Sequence, residues 1–134
     1  MNGLPSVGEK ATFSKTITET DVVLYAGLIG DFNSLHVNKQ AASESLFGRR
    51  VAHGMLTAGL ISTVIGTRLP GEGSIYMGQE LRFLKPVFLG DTITAAAEVV
   101  EVMEDKRRVR LHTWCINDRG ETVVDGEALV MVTA

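Results

Sequence analysis

Seven residues, GDFNSLH at positions 30–36, bring a carboxylate and an imidazole close together in the chain. Asp31 can take up a proton, and His36 can either accept or donate one. Together they could act as a general base and a general acid. Few bulky side chains separate the two, and the segment follows a helix-like run. The spacing therefore indicates a proton-transfer pair.

The tripeptide HGM at residues 53–55 offers a second chemical group, and it belongs to the backbone. If the apolar run that follows is a helix beginning near Gly54, its first N–H groups have no partner within the helix and lie at the positive end of the helix dipole. Glycine also lets another molecule approach the backbone closely. The Gly54 N–H is therefore a candidate donor to an oxygen that becomes negative during a reaction.

The size and charge of the chain limit what these groups could act on. The 134 residues suit a single domain spanning 1–134, and the net charge of -3 points neither to nucleic acid nor to an anionic membrane. Cys115 is the only cysteine, so no disulfide can form within the chain, and the first ten residues contain no apolar signal core. These features predict a cytoplasmic protein.

The most apolar stretch, residues 51–69, has no charged residue before Arg68 but is diluted by three glycines and several hydroxyl side chains. A membrane-spanning helix needs about 20 mostly apolar residues, so we do not expect it to cross a membrane. A helix that is apolar on nearly every side is typical of a buried core helix. In so short a chain, a sheet must cover that helix.

The remaining periodicity predicts the elements that would position these groups. Thr18 is expected to cap a helix over 19–29, with Asp21 as a weak capping-box partner and Gly30 as its stop. The DFNSLHVN segment is expected to be a loop, followed by a short helix in KQAASESLF and the long helix at about 54–66. Alternation of apolar and polar residues predicts strands at 11–17, 75–86, 91–103, 107–117 and 121–132.

Short connections between the later strands favour antiparallel pairing. The prediction is an α+β domain in which a curved antiparallel sheet wraps one central helix. Such a sheet leaves an exposed edge and an apolar patch, which favours a homodimer.

The segment YAGLIGDFNSLHVNKQAA, residues 25–42, resembles the signature of the MaoC-like, (R)-specific enoyl-CoA hydratase family. That signature has an aromatic residue, a Gly-Asp-x-Asn-Pro-aliphatic-His core and a later small residue; this chain departs from it at Ser34, where proline is usual. The likeness continues through residues 51–62, 69–93 and 123–132. The small bacterial members that supply polyhydroxyalkanoate synthesis are especially similar.

The resemblance implies a hot-dog fold, a homodimer and a hydro-lyase reaction. Water would add reversibly to a trans-2-enoyl-CoA to give an (R)-3-hydroxyacyl-CoA. No metal and no redox cofactor is implied, and coenzyme A would enter only as part of the acyl-CoA substrate.

The same resemblance gives the candidate residues their roles. Asp31 and His36 would flank one catalytic water, with Asp31 activating it and His36 orienting it and helping to move the proton. Gly54 would supply the oxyanion donor. Three further residues are expected to order the loop or contact substrate or water: Asn33, His53 and Ser62, the last supporting Asp31 or the water network from two turns into the helix.

Other chemistries fit the sequence less well. Asp31, His36 and His53 lack the spacing of a recognised zinc motif, so no metal site is predicted. Cys115 alternates with other residues in a strand without an activating motif, and no nucleophile elbow surrounds Ser62. His112 lies in a strand pattern and is interpreted as a structural or surface residue.

Several alternatives remain open at this point. The same chemistry could run on an acyl carrier protein as a 3-hydroxyacyl dehydratase, and a hot-dog thioesterase or a non-catalytic acyl-CoA-binding subunit are weaker possibilities. The acyl chain length is undetermined, although Ile61 and Ile65 are candidates to line its pocket. If the carrier is coenzyme A, its phosphates must meet basic side chains, and the candidates are Arg49, Arg50, Arg82, Lys85 and Arg107.

Overall fold

Alternating and helical patterns along the chain produce five strands and one long helix in the computed structural model, which describes residues 3–133. A one-turn 3-10 helix separates the third and fourth strands. The elements, in chain order, are β1 (Lys10–Thr16), α1 (Glu19–Ile29), α2 (Ser34–Val37), α3 (Lys39–Ser43), α4 (Gly54–Thr67), β2 (Ser74–Phe83), β3 (Thr92–Met103), β4 (Arg108–Ile116) and β5 (Thr122–Val132).

The five strands form one antiparallel sheet in the order β1-β3-β4-β5-β2. Along β4, buried residues alternate strictly with half-buried ones, so one face of the sheet turns to the core and the other outward. Helix α4 contacts β1, β2, β3 and β4 on the buried face. The α+β architecture predicted from the sequence is confirmed, and β2 forms one edge of the sheet.

Helix α1 has the capping predicted for it. Thr18 Oγ1 accepts a hydrogen bond from the Asp21 N–H, and Asp21 Oδ2 accepts one from the Thr18 N–H, which completes the capping box. At the other end, Gly30 has φ of 80° and donates to the Ala26 carbonyl. This left-handed glycine turns the chain out of α1 and directly into the segment that carries Asp31.

Helix α4 is buried on one side and exposed on another. Ile61 and Ile65 are buried in the core, with 0% and 1% exposure, rather than lining an open pocket. One stripe of the helix, however, stays exposed: Met55, Gly59, Ser62 and Gly66. The sheet therefore covers three sides of α4 and leaves the fourth uncovered beside β2.

Three local predictions were wrong in detail. The segment after Asp31 is not all loop, because Asn33 caps the single helical turn of α2. The helix expected through residue 47 ends at Ser43. Strand β2 also ends at Phe83, before Pro86, which has no N–H to donate to a neighbouring strand.

No helix within residues 3–133 combines the length and apolarity needed to cross a lipid bilayer.

Candidate active site

The loop after α1 is held by hydrogen bonds between side chains and its own backbone. Asp31 Oδ1 accepts a hydrogen bond from the Asn33 N–H at 3.1 Å, and Asn33 Oδ1 accepts one from the Leu35 N–H at 3.0 Å. Such bonds are the usual way in which Asp and Asn fix a tight turn. Asn33 thus orders the loop, as one of its two predicted roles required, and the turn leaves the other carboxylate oxygen of Asp31 uncommitted to it.

Helix α2 brings His36 back toward the entrance of α4. The His36 Nδ1–H donates to the Val51 carbonyl at 2.7 Å, and the Arg50 Nε–H donates to the His36 carbonyl at 2.7 Å. Because a carbonyl can only accept, the proton of a neutral His36 ring must be on Nδ1. Its Nε2 is then a free acceptor.

His53 lies directly against this ring. It is 3% exposed, and its ring stacks on that of His36 with centroids 3.8 Å apart. Its Nε2–H donates to the Asp31 carbonyl at 2.9 Å, and the ring of Tyr25 meets it edge-on at 5.0 Å. His53 therefore joins the backbone of Asp31 to the ring of His36.

The three side chains converge on one small volume. One carboxylate oxygen of Asp31 and one ring nitrogen each of His36 and His53 all lie within 4.8 Å of one another. A water molecule between the carboxylate and an imidazole could hydrogen-bond to both at this spacing. The sequence-predicted pair is thus brought together, and His53 joins it.

The same donor set is one that a transition metal such as Zn²⁺ accepts, because two imidazoles and a carboxylate are common zinc ligands. Residue identity alone does not separate a metal centre from an acid–base pair here. The absence of a metal therefore stays a prediction.

Gly54 is the first residue of α4 and lies beside this cluster. It lines a cavity of 460 Å³ together with His36, Met55, Phe83 and other mainly apolar side chains. The N–H of a first helical residue has no partner within the helix. A Cβ atom at this position would lie 2.7 Å from the ring of Phe83, so only glycine leaves the approach to this N–H open.

Thr57 lies one turn further along α4 and lines the same cavity. Its side chain is fully buried, yet Oγ1 has no hydrogen-bond partner within the described part of the chain. A buried hydroxyl without a partner is costly, so this group is one that a ligand in the cavity could satisfy. The sequence offered no sign of it, because a threonine inside an apolar helix resembles ordinary core packing.

Ser62 is separated from the pair. It lines a second cavity, of 410 Å³, with Met55, Tyr76 and Met77, on the exposed stripe of α4. This cavity does not include Asp31 or His36, although Met55 borders both cavities. Within this one chain, Ser62 therefore borders a different cavity from His36, and Asp31 lines neither of the two.

Cys115 and His112 take structural places. Burial raises the pKa of the Cys115 thiol to about 12, so it is protonated and a poor nucleophile. His112 lies on the outer face of the sheet, stacks on Trp114 at 4.5 Å, and its Nε2 shares a hydrogen bond with Asp125 Oδ1 at 2.8 Å.

Comparison with known proteins gives consistent similarities. The family described as "MaoC like domain" matches residues 4–116. An (R)-specific enoyl-CoA hydratase of Rhodospirillum rubrum is 49% identical over 127 residues, covering 95% of this chain and 88% of its own length. A mitochondrial 3-hydroxyacyl-[acyl-carrier-protein] dehydratase of Solanum lycopersicum is 34% identical over 133 residues, covering 98% and 79%.

Among solved structures, the (R)-hydratase from A. caviae, described as involved in PHA biosynthesis, is similar with a TM-score of 0.94 and 43% identity. The match covers 96% of this chain and 98% of that one.

Proposed function

The chain belongs to the MaoC-like domain family and has its hot-dog fold, and from that premise we propose that it is an (R)-specific enoyl-CoA hydratase. In this reaction, a hydro-lyase reaction, water adds reversibly across the double bond of a trans-2-enoyl-CoA. Similarity to an enzyme of that name over nearly the full length of both chains supports the assignment.

The observation that carries the proposal is the convergence of the Asp31 carboxylate and the His36 ring, within 4.8 Å, beside a cavity that begins at Gly54. Hydration needs a base for water, a donor of a proton to carbon and a donor to the enolate oxygen. His36 and Gly54 line this cavity, and Asp31 lies beside His36, so groups of all three kinds are close together.

The reaction then proceeds as follows. Water bound between Asp31 and His36 Nε2 gives up a proton to this pair as its oxygen forms a bond to C3. The electrons of the double bond shift toward the thioester carbonyl, whose oxygen is stabilised by the Gly54 N–H at the positive end of α4. The pair returns the proton to C2, so the water supplies both the hydroxyl group at C3 and the hydrogen at C2.

Three other residues are proposed to support substrate binding. Asn33 keeps the loop closed, and His53 holds the His36 ring in place by stacking. Ser62 would meet substrate from the second cavity, which adjoins the first at Met55, rather than through Asp31.

We also propose that the enzyme is a homodimer. The β2 edge presents Ile75, Tyr76 and Met77 at 46%, 38% and 43% exposure, next to the uncovered stripe of α4. An exposed edge strand with apolar side chains favours pairing with another chain. Sedimentation analysis would show a dimer at micromolar concentration, and a monomer at all concentrations would contradict this.

No metal or redox cofactor is needed for this chemistry, because the acid–base pair and the backbone donor supply every step. A cytoplasmic location is proposed with it, since Cys115 is a buried free thiol, as is common in a reducing compartment.

A 3-hydroxyacyl-[acyl-carrier-protein] dehydratase is the second candidate. The specific observation in its favour is the similarity to the dehydratase of Solanum lycopersicum, which covers 98% of this chain. Both candidates use the same groups and differ in the carrier of the acyl chain.

The test is a direct assay. The purified protein is mixed with enoyl-CoAs of four to twelve carbons, loss of enoyl absorbance is followed, and the product is separated on a chiral column. Hydration to the (R)-3-hydroxyacyl-CoA is expected. Release of free thiol without hydration would indicate a thioesterase, and the (S) product would contradict the stereochemistry.

A further inference from the structure

Basic side chains gather beside the entrance of the catalytic cavity. Two smaller cavities lie there, of 390 and 300 Å³, and both are lined by Arg49. Five of the 13 lysines and arginines of an acidic chain line one or the other. We call this group the basic rim: Lys39, Arg49, Arg50, Lys85 and Arg119.

The basic rim is continuous with the catalytic cavity. Lys85 and Pro86 line both that cavity and the 390 Å³ cavity of the rim. Between Gly54 and Lys85 the catalytic cavity is lined mainly by apolar groups, among them Phe47 and Leu84. A flexible, weakly polar chain could therefore run from Gly54 to the rim.

The charges of the rim are only partly neutralised. Lys85 pairs with Glu121 at 3.4 Å, Arg119 with Asp91 at 3.2 Å, and Arg50 with Glu19. The pair of Lys85 is solvent-exposed, and such pairs are weak enough to be exchanged for a better anion.

Lys39 and Arg49 add charge without a carboxylate partner within salt-bridge distance in residues 3–133. The Arg49 guanidinium lies over the ring of Phe88, 3.9 Å from its centroid. This contact orients the guanidinium and leaves its N–H groups free to bind an anion.

Other basic side chains are placed elsewhere. Arg82 is 79% exposed on the outer face and pairs with Asp125, in a depression lined by further carboxylates. Arg107 donates to the Val132 carbonyl at the far end of β5. Neither borders the catalytic cavity, so the structure separates the candidates that the sequence left together.

We propose that the basic rim binds the phosphates of the nucleotide part of coenzyme A, with Arg49 as the main contact and Lys85 beside it. This inference rests on the proposed function and specifies its carrier. The diphosphate and 3′-phosphate of coenzyme A bring several negative charges to two adjoining basic cavities, whereas a carrier protein brings a single phosphodiester on its pantetheine arm. The pantetheine arm would occupy the apolar passage between Gly54 and Lys85.

Three proteins test it: wild type, Arg49→Gln and, as a matched control, Arg82→Gln. Affinity for free coenzyme A is measured by calorimetry, which needs no catalysis. Loss of one charge-assisted contact is expected to weaken binding about tenfold in Arg49→Gln and to leave Arg82→Gln unchanged. Added salt should weaken binding to wild type more than to Arg49→Gln.

Kinetics on crotonyl-CoA and crotonyl-pantetheine give the second readout. Arg49→Gln should raise KM about tenfold for the CoA ester and leave kcat, and both constants for the pantetheine ester, unchanged. The proposal that the basic rim binds coenzyme A would be overturned if wild type and Arg49→Gln had equal affinity for coenzyme A. It would also be overturned if the substitution raised KM equally for the CoA ester and the pantetheine ester. If Arg49→Gln binds coenzyme A more weakly than wild type, but wild type hydrates neither ester, only the proposed function is overturned.

A carrier-protein thioester completes the comparison. If crotonyl-carrier protein has a lower KM than crotonyl-CoA and Arg49→Gln affects only the carrier-protein ester, the assignment to coenzyme A is overturned.

Discussion

This chain places a histidine side chain near an aspartate side chain in two places, and the two pairs differ in how far their hydrogen bonds are satisfied. On the outer face of the sheet, His112 Nε2 meets Asp125 directly at 2.8 Å. Asp125 also faces Arg82, and the His112 ring is stacked on Trp114. The hydrogen-bonding atoms of these groups are already used in contacts with each other, and few remain to bind a reactant.

The pair at the entrance of α4 is arranged differently. His36 is held by a backbone carbonyl at Nδ1, and Asp31 by a backbone N–H at one oxygen. Each side chain is anchored at one end, which leaves a lone pair on the other directed to a shared space. We infer that a catalytic pair needs partners that fix its position and leave acceptor atoms unused, and that a direct hydrogen bond between the two side chains does the opposite.

The strongest test of this difference is to remove the charge from each aspartate. Asp31→Asn should lower kcat by about 10²–10⁴-fold, because an amide cannot take the proton from water. Asp125→Asn should leave kcat within about twofold, since acid–base catalysis is not expected of it. Steady-state assays on crotonyl-CoA measure both, with circular dichroism as the control for folding. Similar rates in the two variants would remove the distinction.

The next test separates the two nitrogens of His36. In His36→Asn the amide N–H can replace Nδ1–H as donor to the Val51 carbonyl, while the acceptor at Nε2 is lost. We expect an intact fold and a fall in kcat of about 10²–10³-fold. His112→Asn is the matched variant and should retain activity. If His36→Asn keeps normal turnover, the ring has only a structural role.

A smaller effect is expected from closing the approach to the backbone donor. In Gly54→Ala the new methyl group meets the Phe83 ring, which lines the catalytic cavity and must move. A displacement of about 1 Å in a reacting group can cost about 10²-fold in rate, and we expect a loss of kcat/KM of about 10- to 100-fold.

Gly27→Ala is the control for that substitution. Gly27 is also helical, and a Cβ atom there would meet nothing within 4 Å. It should keep full activity and gain up to about 1 kcal/mol in the free energy of unfolding, from helix propensity. A loss of activity as large as that of Gly54→Ala would show that the effect is not specific to the cavity.

The smallest expected effect is that of a chelator. EDTA should leave the rate unchanged if the inner pair works through protons alone. Added Zn²⁺ should inhibit reversibly, because imidazole and carboxylate atoms within 4.8 Å of one another can share a metal ion. Inactivation by EDTA and recovery with a metal would make the cluster a metal centre.

Local signals in the sequence predicted well the helices and strands that position the site. The boundaries of α1 follow from Thr18, Asp21 and Gly30, which act on their near neighbours. The alternation on β4 and the apolar run of α4 gave the sheet and the helix within it. Asp31 and His36 are close in the chain, so their proximity in space was also predictable.

Contacts between distant segments were not predictable. The bond from His36 to Val51 uses a backbone carbonyl, which every residue type provides, and so no sequence pattern marks it. The stacking of His53 on His36 depends on where two segments cross. Ser62 was expected near Asp31, but its face of α4 depends on the exact direction of the helix, and it borders the other cavity.

The short bridge at the entrance of α4 has a consequence for engineering. Val51 pairs with Phe88 and the Ala52 N–H bonds to the Val87 carbonyl, so the chain is fixed to the sheet just before the helix begins. The segment of residues 39–49, which begins with helix α3, lies between this anchor and His36. If buried Ala42 and Phe47, which lines the catalytic cavity, are kept, we expect that exchanging the rest of this segment would change the choice of acyl carrier while the reaction centre stays in place.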